Sequence, residues 1–163
     1  MTSTRDYYIG IDPGKKGYAC LYNTGCPSYV YYPLFDGKRL NREMITVFKK
    51  LSVDHTIMAV VEQVHSMPHQ GVASTFSFGT NYGMIIGALE ALGIPYSTVT
   101  PGKWQVCVCE AVDKASNTKL LHYNAARRLL PNMDFRRSER CRIYDDNKVD
   151  ATLICIYAQR KQL

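Results

Sequence analysis

Residues 8–14 read YIGIDPG, and this short stretch governs both the fold and the site that we predict. The apolar run that ends at Asp12 is typical of a buried β-strand. Pro13 and Gly14 then stop the strand, because proline lacks a backbone N–H and glycine favours turns. The sequence therefore predicts that the carboxylate of Asp12 is held at the rim of a sheet.

Strand-like and helix-like patterns alternate along the rest of the chain. Two strand patterns at 17–22 and 28–32 follow the first and predict a three-stranded antiparallel meander. The later patterns predict strands at 56–61 and 94–99 and helices at 40–52, 70–92, 102–110, 117–130 and 146–159. This order predicts an α/β fold with a mixed five-stranded sheet, in which parallel strands extend the meander and helices flank it.

Length and composition set the general class of protein. A chain of 163 residues with a hydrophobic fraction of 46% predicts a single domain, residues 1–163. The sequence contains no apolar stretch of membrane-spanning length and no signal core before the first strand, so we expect a soluble, intracellular protein that is not secreted and keeps its six cysteines reduced. The net charge of +6 is compatible with an anionic partner but does not identify one.

Four carboxylates stand at positions that such a fold would bring together. Asp12 and Glu62 each end a predicted strand, and Asp146 and Asp150 share one face of the last helix. A cluster of this kind is repulsive without a cation, and carboxylate oxygens are the ligands that Mg²⁺ and Mn²⁺ prefer. Two such ions, roughly 4 Å apart, can clamp a phosphodiester. Taken singly, each acid also has a structural explanation as a turn former, a helix cap or a solvated side chain.

The order of these motifs resembles a known family. IGIDPG at 9–14, VVEQVHSMP at 60–68, a glycine-rich helix, a basic loop and DNKVDATLI at 146–154 resemble the RuvC-type Holliday junction resolvases, particularly their bacteriophage and organelle branch. The resemblance covers nearly the whole chain and implies the ribonuclease H-like fold and a homodimer. It further implies a metal-dependent, structure-selective endonuclease that makes paired symmetric nicks in four-way DNA junctions during recombination and repair.

The resemblance also assigns roles to single residues. Asp12 matches the family's first-strand aspartate, Glu62 matches the glutamate of its EQ motif, and Asp150 matches its final carboxylate. Asp146 falls where relatives carry His or Asp, although DDNKVDA replaces a DHGRAEA-like stretch here, so Asp145 competes with it. These four matches imply catalytic metal ligands that hold two Mg²⁺ ions per active site, with Mn²⁺ able to substitute and no small-molecule cofactor.

Basic residues are concentrated in the second half of the chain, and FRRSERCR at 135–142 immediately precedes the acidic helix. Cations beside a metal site are placed to contact phosphates. By resemblance, Lys114 corresponds to a lysine near the cleaved phosphate, and His65 stands where bacterial relatives carry an aromatic wedge. The predicted DNA-binding residues are His65, Gln70, Lys103, Lys114, Lys119, Arg136, Arg137 and Arg140.

The helix predicted at 70–92 carries Gly79, Gly83 and Gly87 at intervals of four residues, which gives it one smooth face. This face would pack either on the sheet of the same chain or, as the resemblance implies, in a twofold dimer contact. Phe76 and Phe78, on the same helix, are candidates for the wedge role as well, but we expect both to pack in the core.

Two alternative functions stay open at the level of sequence. A ribonuclease H-like nuclease that cuts RNA/DNA hybrids or other branched DNA would have the same fold and the same acids. A non-catalytic junction-binding protein would bind four-way DNA tightly whether or not metal is present.

Overall fold

The computed structural model describes residues 4–63, 71–110 and 117–163. Its elements are β1 (Tyr7–Ile11), β2 (Tyr18–Asn23), β3 (Ser28–Pro33), β4 (Phe35–Asp36), β5 (Arg39–Leu40), α1 (Arg42–Asp54), β6 (Ile57–Glu62), α2 (Val72–Ala91), β7 (Tyr96–Val99), α3 (Pro101–Val108), α4 (Thr118–Leu129) and α5 (Asp146–Lys161). Every strand and helix that the sequence predicts is present. The short β4–β5 hairpin was not predicted, because two-residue strands are too short to show a periodic pattern.

One five-stranded sheet has the strand order β3-β2-β1-β6-β7. The first three strands form the antiparallel meander, while β6 is parallel to both β1 and β7. This arrangement confirms the predicted mixed sheet flanked by helices. Since β1 and β6 are adjacent and parallel, their carboxyl ends meet at the same edge of the sheet.

Side chains on the two faces of β1 belong to two different core clusters. On one face Ile9 and Ile11 belong to the cluster that contains Phe48 of α1 and Leu89 of α2. On the other face Tyr8 belongs to the cluster formed with α3, α4 and α5. Because successive strand residues point to opposite faces, this apolar run is buried on both sides and β1 lies at the centre of the fold.

Helix α5 lies directly against β1 at Gly10. A Cβ built on this glycine would lie 2.2 Å from the backbone nitrogen of Cys155 and 2.3 Å from the carbonyl oxygen of Ala151. The absence of a side chain at residue 10 therefore sets how closely the helix approaches the strand.

The first turns of α2 differ from the sequence-based expectation. The prediction that Phe76 is a core residue is wrong, because its side chain is 78% exposed, and Phe78 is only half-buried. Gly79, Gly83 and Gly87 are also exposed, and no described atom lies within 4 Å of a Cβ built on any of them. The helix instead buries Ile85 and Leu89, so the structure contradicts packing of the glycine face on the sheet.

In the described chain no helix is long and apolar enough to cross a membrane. All six cysteines are free thiols.

The contact at Gly10 yields a stability prediction. We expect Gly10→Ala to lower the free energy of unfolding by at least about 2 kcal/mol, because the added methyl group meets rigid backbone atoms of α5. Urea denaturation would measure the change. Gly102→Ala is the matched control, since a Cβ there meets open space, and it should alter stability by no more than about 1 kcal/mol. Equal effects of the two substitutions would contradict this account of the packing.

Candidate active site

Two predicted site acids lie at one edge of the sheet. Asp12 directly follows β1 and is buried, and Glu62 is the last residue of β6 and is half-buried. The parallel register pairs Ile11 with Val61, so each acid follows a paired position. The polypeptide thus presents both carboxylates at the same rim, as the strand-end pattern predicts.

Helix α5 brings further carboxylates to this rim. Asp145 caps the helix: its Oδ1 accepts hydrogen bonds from the backbone and side-chain nitrogens of Asn147, each at 3.0 Å. The other oxygen of Asp145 pairs with the guanidinium of Arg137 at 2.9 to 3.0 Å. Asp146 forms an ion pair with Lys119. Both acids at the helix start therefore have structural partners within the chain.

The pKa values show which acids interact. Burial, together with the carboxylates of Asp150, Glu62 and Asp145, raises the pKa of Asp12 to about 8. Burial and the charge of Asp150 also raise the pKa of Glu62 above its usual range, against the opposing effect of a hydrogen bond from Trp104. Asp145 is among the carboxylates that raise the pKa of Asp12, whereas Asp146 is ion-paired with Lys119. The choice of Asp146 as a ligand stays a prediction.

Two buried rings support these acids from behind. The indole Nε1 of Trp104 donates a hydrogen bond to Oε1 of Glu62 at 2.8 Å, and Nδ1 of His122 lies 2.7 Å from Oδ1 of Asp150. The two ring centroids are 4.8 Å apart. Nε2 of His122 is buried and has no hydrogen-bond partner in the described structure. The residue that holds Glu62 is therefore in contact with the residue that holds Asp150.

The sequence analysis did not identify either ring as part of the site, although the position of each in the sequence is informative. Trp104 is the single tryptophan of the chain and lies in the first turn of the helix that follows β7. His122 precedes Ala125 and Ala126 by three and four residues, so it lies on the buried face of α4. A polar side chain on such a face needs a partner, which points toward a nearby carboxylate.

The predicted DNA-binding residues fall into three groups. Lys119 pairs with Asp146 of α5, Arg137 pairs with Asp145 at its N-cap, and Arg136 pairs with Asp134. Lys103 and Arg140 are exposed. His65, Gln70 and Lys114 lie outside the described residues.

The basic loop before α5 is anchored beside the acids. Lys148 of α5 donates a hydrogen bond of 2.7 Å to the carbonyl oxygen of Arg136. Its ammonium also lies 5.7 Å and 5.3 Å from the ring centroids of Tyr18 and Tyr31. An isolated bridge between Arg136 and Tyr144 closes the loop on itself. The arginines of this loop are therefore held near the start of the acidic helix.

The acids fit a hard divalent cation in ligand type and in charge. Their oxygens are the ligands such ions prefer. Burial, together with the neighbouring carboxylates, raises the pKa of Asp12 to about 8, and a bound cation would favour its charged form. In the part of the chain that the structure describes, however, no group of three or more His, Cys, Asp or Glu side chains is arranged to hold a metal ion. The carboxylates would have to turn toward one another to bind it.

The chain is similar to known proteins in its structure but not in its sequence. No protein-family model matches the chain, and no curated protein matches its sequence. Among solved structures it is similar to Thermus thermophilus RuvC, with a TM-score of 0.52, 14% identity, and coverage of 95% of this chain and 96% of that one. It is also similar to T. thermophilus RuvC in complex with Holliday junction substrate, with a TM-score of 0.56, 14% identity and 96% of each chain covered. The chain has a RuvC-like fold.

The raised pKa of Asp12 predicts how the stability of the metal-free protein depends on pH. Between the usual pKa of 3.8 and about 8, the folded state binds the proton that the unfolded state has lost, so stability falls as pH rises through this window. Asp12→Asn removes that dependence. We expect the variant to match the wild type near pH 4 and to exceed it near pH 8 by on the order of 5 kcal/mol.

Chemical denaturation across this pH range, with a chelator present, would measure the difference. Adding Mg²⁺ at pH 8 should stabilise the wild type and not the variant, since a bound cation offsets the same charge. A difference between the two proteins that does not change with pH would contradict the assignment.

The contact between His122 and Asp150 predicts an energetic coupling. A double-mutant cycle with His122→Phe and Asp150→Ala should give about 1–3 kcal/mol, typical of a hydrogen bond to a charged group. Phenylalanine keeps a ring against Trp104. The control cycle combines His122→Phe with Asp134→Ala, an exposed acid that pairs with Arg136 instead. Equal coupling in the two cycles would show that the buried contact has no special role.

Proposed function

We propose that this protein is a divalent-metal-dependent DNA endonuclease that resolves four-way junctions. The observation that carries the proposal is the convergence of Asp12, Glu62 and Asp150 at one edge of a RuvC-like fold, where burial and neighbouring carboxylates raise the pKa values of Asp12 and Glu62. The fold alone would support many functions. Acids with strongly perturbed pKa values that cluster at one point of a fold are typical of functional sites, and a bound divalent cation would favour the deprotonated carboxylates that bind it.

Asp12, Glu62 and Asp150 are the proposed ligands, together with either Asp145 or Asp146. When bound, two Mg²⁺ or Mn²⁺ ions would supply an activated water and stabilise the leaving oxygen of the phosphodiester. Trp104 fixes the orientation of Glu62 through its N–H, and His122 fixes that of Asp150. Such second-layer contacts hold ligands in the geometry that metal binding needs.

The cations around this site suit a DNA backbone. Lys119 and Arg137 are exposed side chains that now pair with Asp146 and Asp145. On binding, phosphates would compete for these cations while metal ions compete for the acids. Arg140 and Lys103 are exposed and open to contact with phosphate.

A twofold dimer is the proposed assembly. The exposed Gly79, Gly83 and Gly87 of α2 leave a smooth helix face on which a second copy can approach closely. The nearby side chain of Val72 is exposed as well, which adds apolar area to this face. Two identical sites related by a twofold axis would meet the two equivalent strands of a four-way junction.

A non-catalytic junction-binding protein is the second candidate. It is favoured by the absence, among described residues, of a ready-made metal cluster, and by the ion pairs that occupy Asp145 and Asp146. This candidate predicts junction binding that neither metal nor loss of a carboxylate at residue 12 changes. The two proposals therefore differ in a single assay.

The test is cleavage of an end-labelled four-way junction in Mg²⁺, alongside linear duplex, single strand and an RNA/DNA hybrid. We expect symmetrically paired nicks confined to the junction and their loss in Asp12→Asn, which keeps the size of the side chain and removes its charge. Cleavage of the hybrid instead would assign ribonuclease H-like activity. A gel shift of the junction with no cleavage in Mg²⁺ or Mn²⁺ would support the binding protein.

A further inference from the structure

A groove leads from the acidic end of α5 toward the start of α2. It consists of three cavities of about 530, 250 and 410 Å³ that share wall residues. The first is lined by Asp146 and shares Lys16 and Arg137 with the second. The second shares Lys15 and Phe35 with the third. The three cavities thus follow one another away from the acids.

Positive charge follows this groove along its length. Lys16 and Lys15 lie in the turn between β1 and β2, and Lys38 lies in the turn of the β4–β5 hairpin. Within the described residues none of these three lysines has an ion pair or a side-chain hydrogen bond, and no carboxylate lines the second or third cavity. An extended anion would meet several unpaired ammonium groups and no repulsion in these two cavities.

The far end of the groove carries an exposed aromatic ring. Phe76 is 78% exposed and lines the third cavity beside Lys15 and Lys38. Thr80 and Asn81 add hydrogen-bonding groups to the same wall. An exposed ring flanked by lysines is the combination that binds single-stranded nucleic acids, because the ring stacks on a base while the cations follow the backbone.

We propose that this groove binds one unpaired strand of nucleic acid as it leaves the acid site. Lys16, Lys15 and Lys38 contact successive phosphates, and Phe76 stacks on one base. The strand is single because a base within a duplex cannot offer its face to the ring. The path rests on the proposed function, since it places a phosphodiester at the acids, and it adds a strand-binding surface on the N-terminal half of the chain.

The test uses two triple variants in the Asp12→Asn background, which cannot cut the probe if the proposed function holds. Lys15→Gln/Lys16→Gln/Lys38→Gln changes the groove. Lys49→Gln/Lys50→Gln/Lys161→Gln removes the same charge from exposed residues that do not line the groove. The probe is a fluorescein-labelled oligothymidine of about 20 nucleotides, and anisotropy gives its affinity between about 50 and 200 mM salt.

We expect the groove triple to lower affinity at least tenfold and to reduce the slope of log affinity against log salt by about 2, the value for three lost phosphate contacts on a single strand. The control triple should stay within about twofold of its parent at the upper salt concentration, where diffuse attraction is screened. Equal losses in the two triples would overturn the proposal, because net charge would then explain the binding.

Phe76→Ala tests the stacking contact separately. It should weaken binding of the single strand by about 5- to 100-fold and leave the affinity for a fully paired duplex of the same length unchanged. Equal weakening of both probes would overturn the role of the ring. If the wild type cuts no substrate but the groove variants still bind the single strand more weakly, the nuclease proposal fails and the groove proposal is supported. If the wild type resolves junctions and the groove variants bind normally, only the groove proposal fails.

Discussion

Helix α5 and strand β1 approach each other so closely that residue 10 has no room for a Cβ. This backbone contact sets the geometry of the acid site. Ala151, whose carbonyl oxygen faces Gly10, directly follows Asp150, while Asp12 lies two residues beyond the glycine. The same contact that packs the core therefore fixes how far apart these two carboxylates are. A larger residue at position 10 would displace the helix and with it one side of the site.

The acids of this region divide into two kinds by their partners. Asp145 and Asp146, at the start of α5, form ion pairs with Arg137 and Lys119. Asp12 has no cationic partner in the described structure, and burial beside other carboxylates raises its pKa. A cation bound from solution would favour the charged form of Asp12.

Two buried rings behind the acids hold the side chains of Glu62 and Asp150 in fixed orientations. Trp104 and His122 contact each other and each hydrogen-bonds one acid. Both rings are almost completely buried, so the acids at the surface rest on a rigid support. The RuvC-like fold provides the sheet edge, while these particular side chains determine how Glu62 and Asp150 are presented there.

The sequence by itself determined the order of strands and helices and the placement of Asp12 and Glu62 at strand ends, because hydrophobic periodicity and turn chemistry are local properties. Only the tertiary structure decided that Phe76 is exposed and that Trp104 and His122 hold the acids. These contacts join residues 42 and 28 positions apart in the chain, and no local pattern specifies a partner at that distance. The packing of α3, α4 and α5 on one face of the sheet brings these residues into contact.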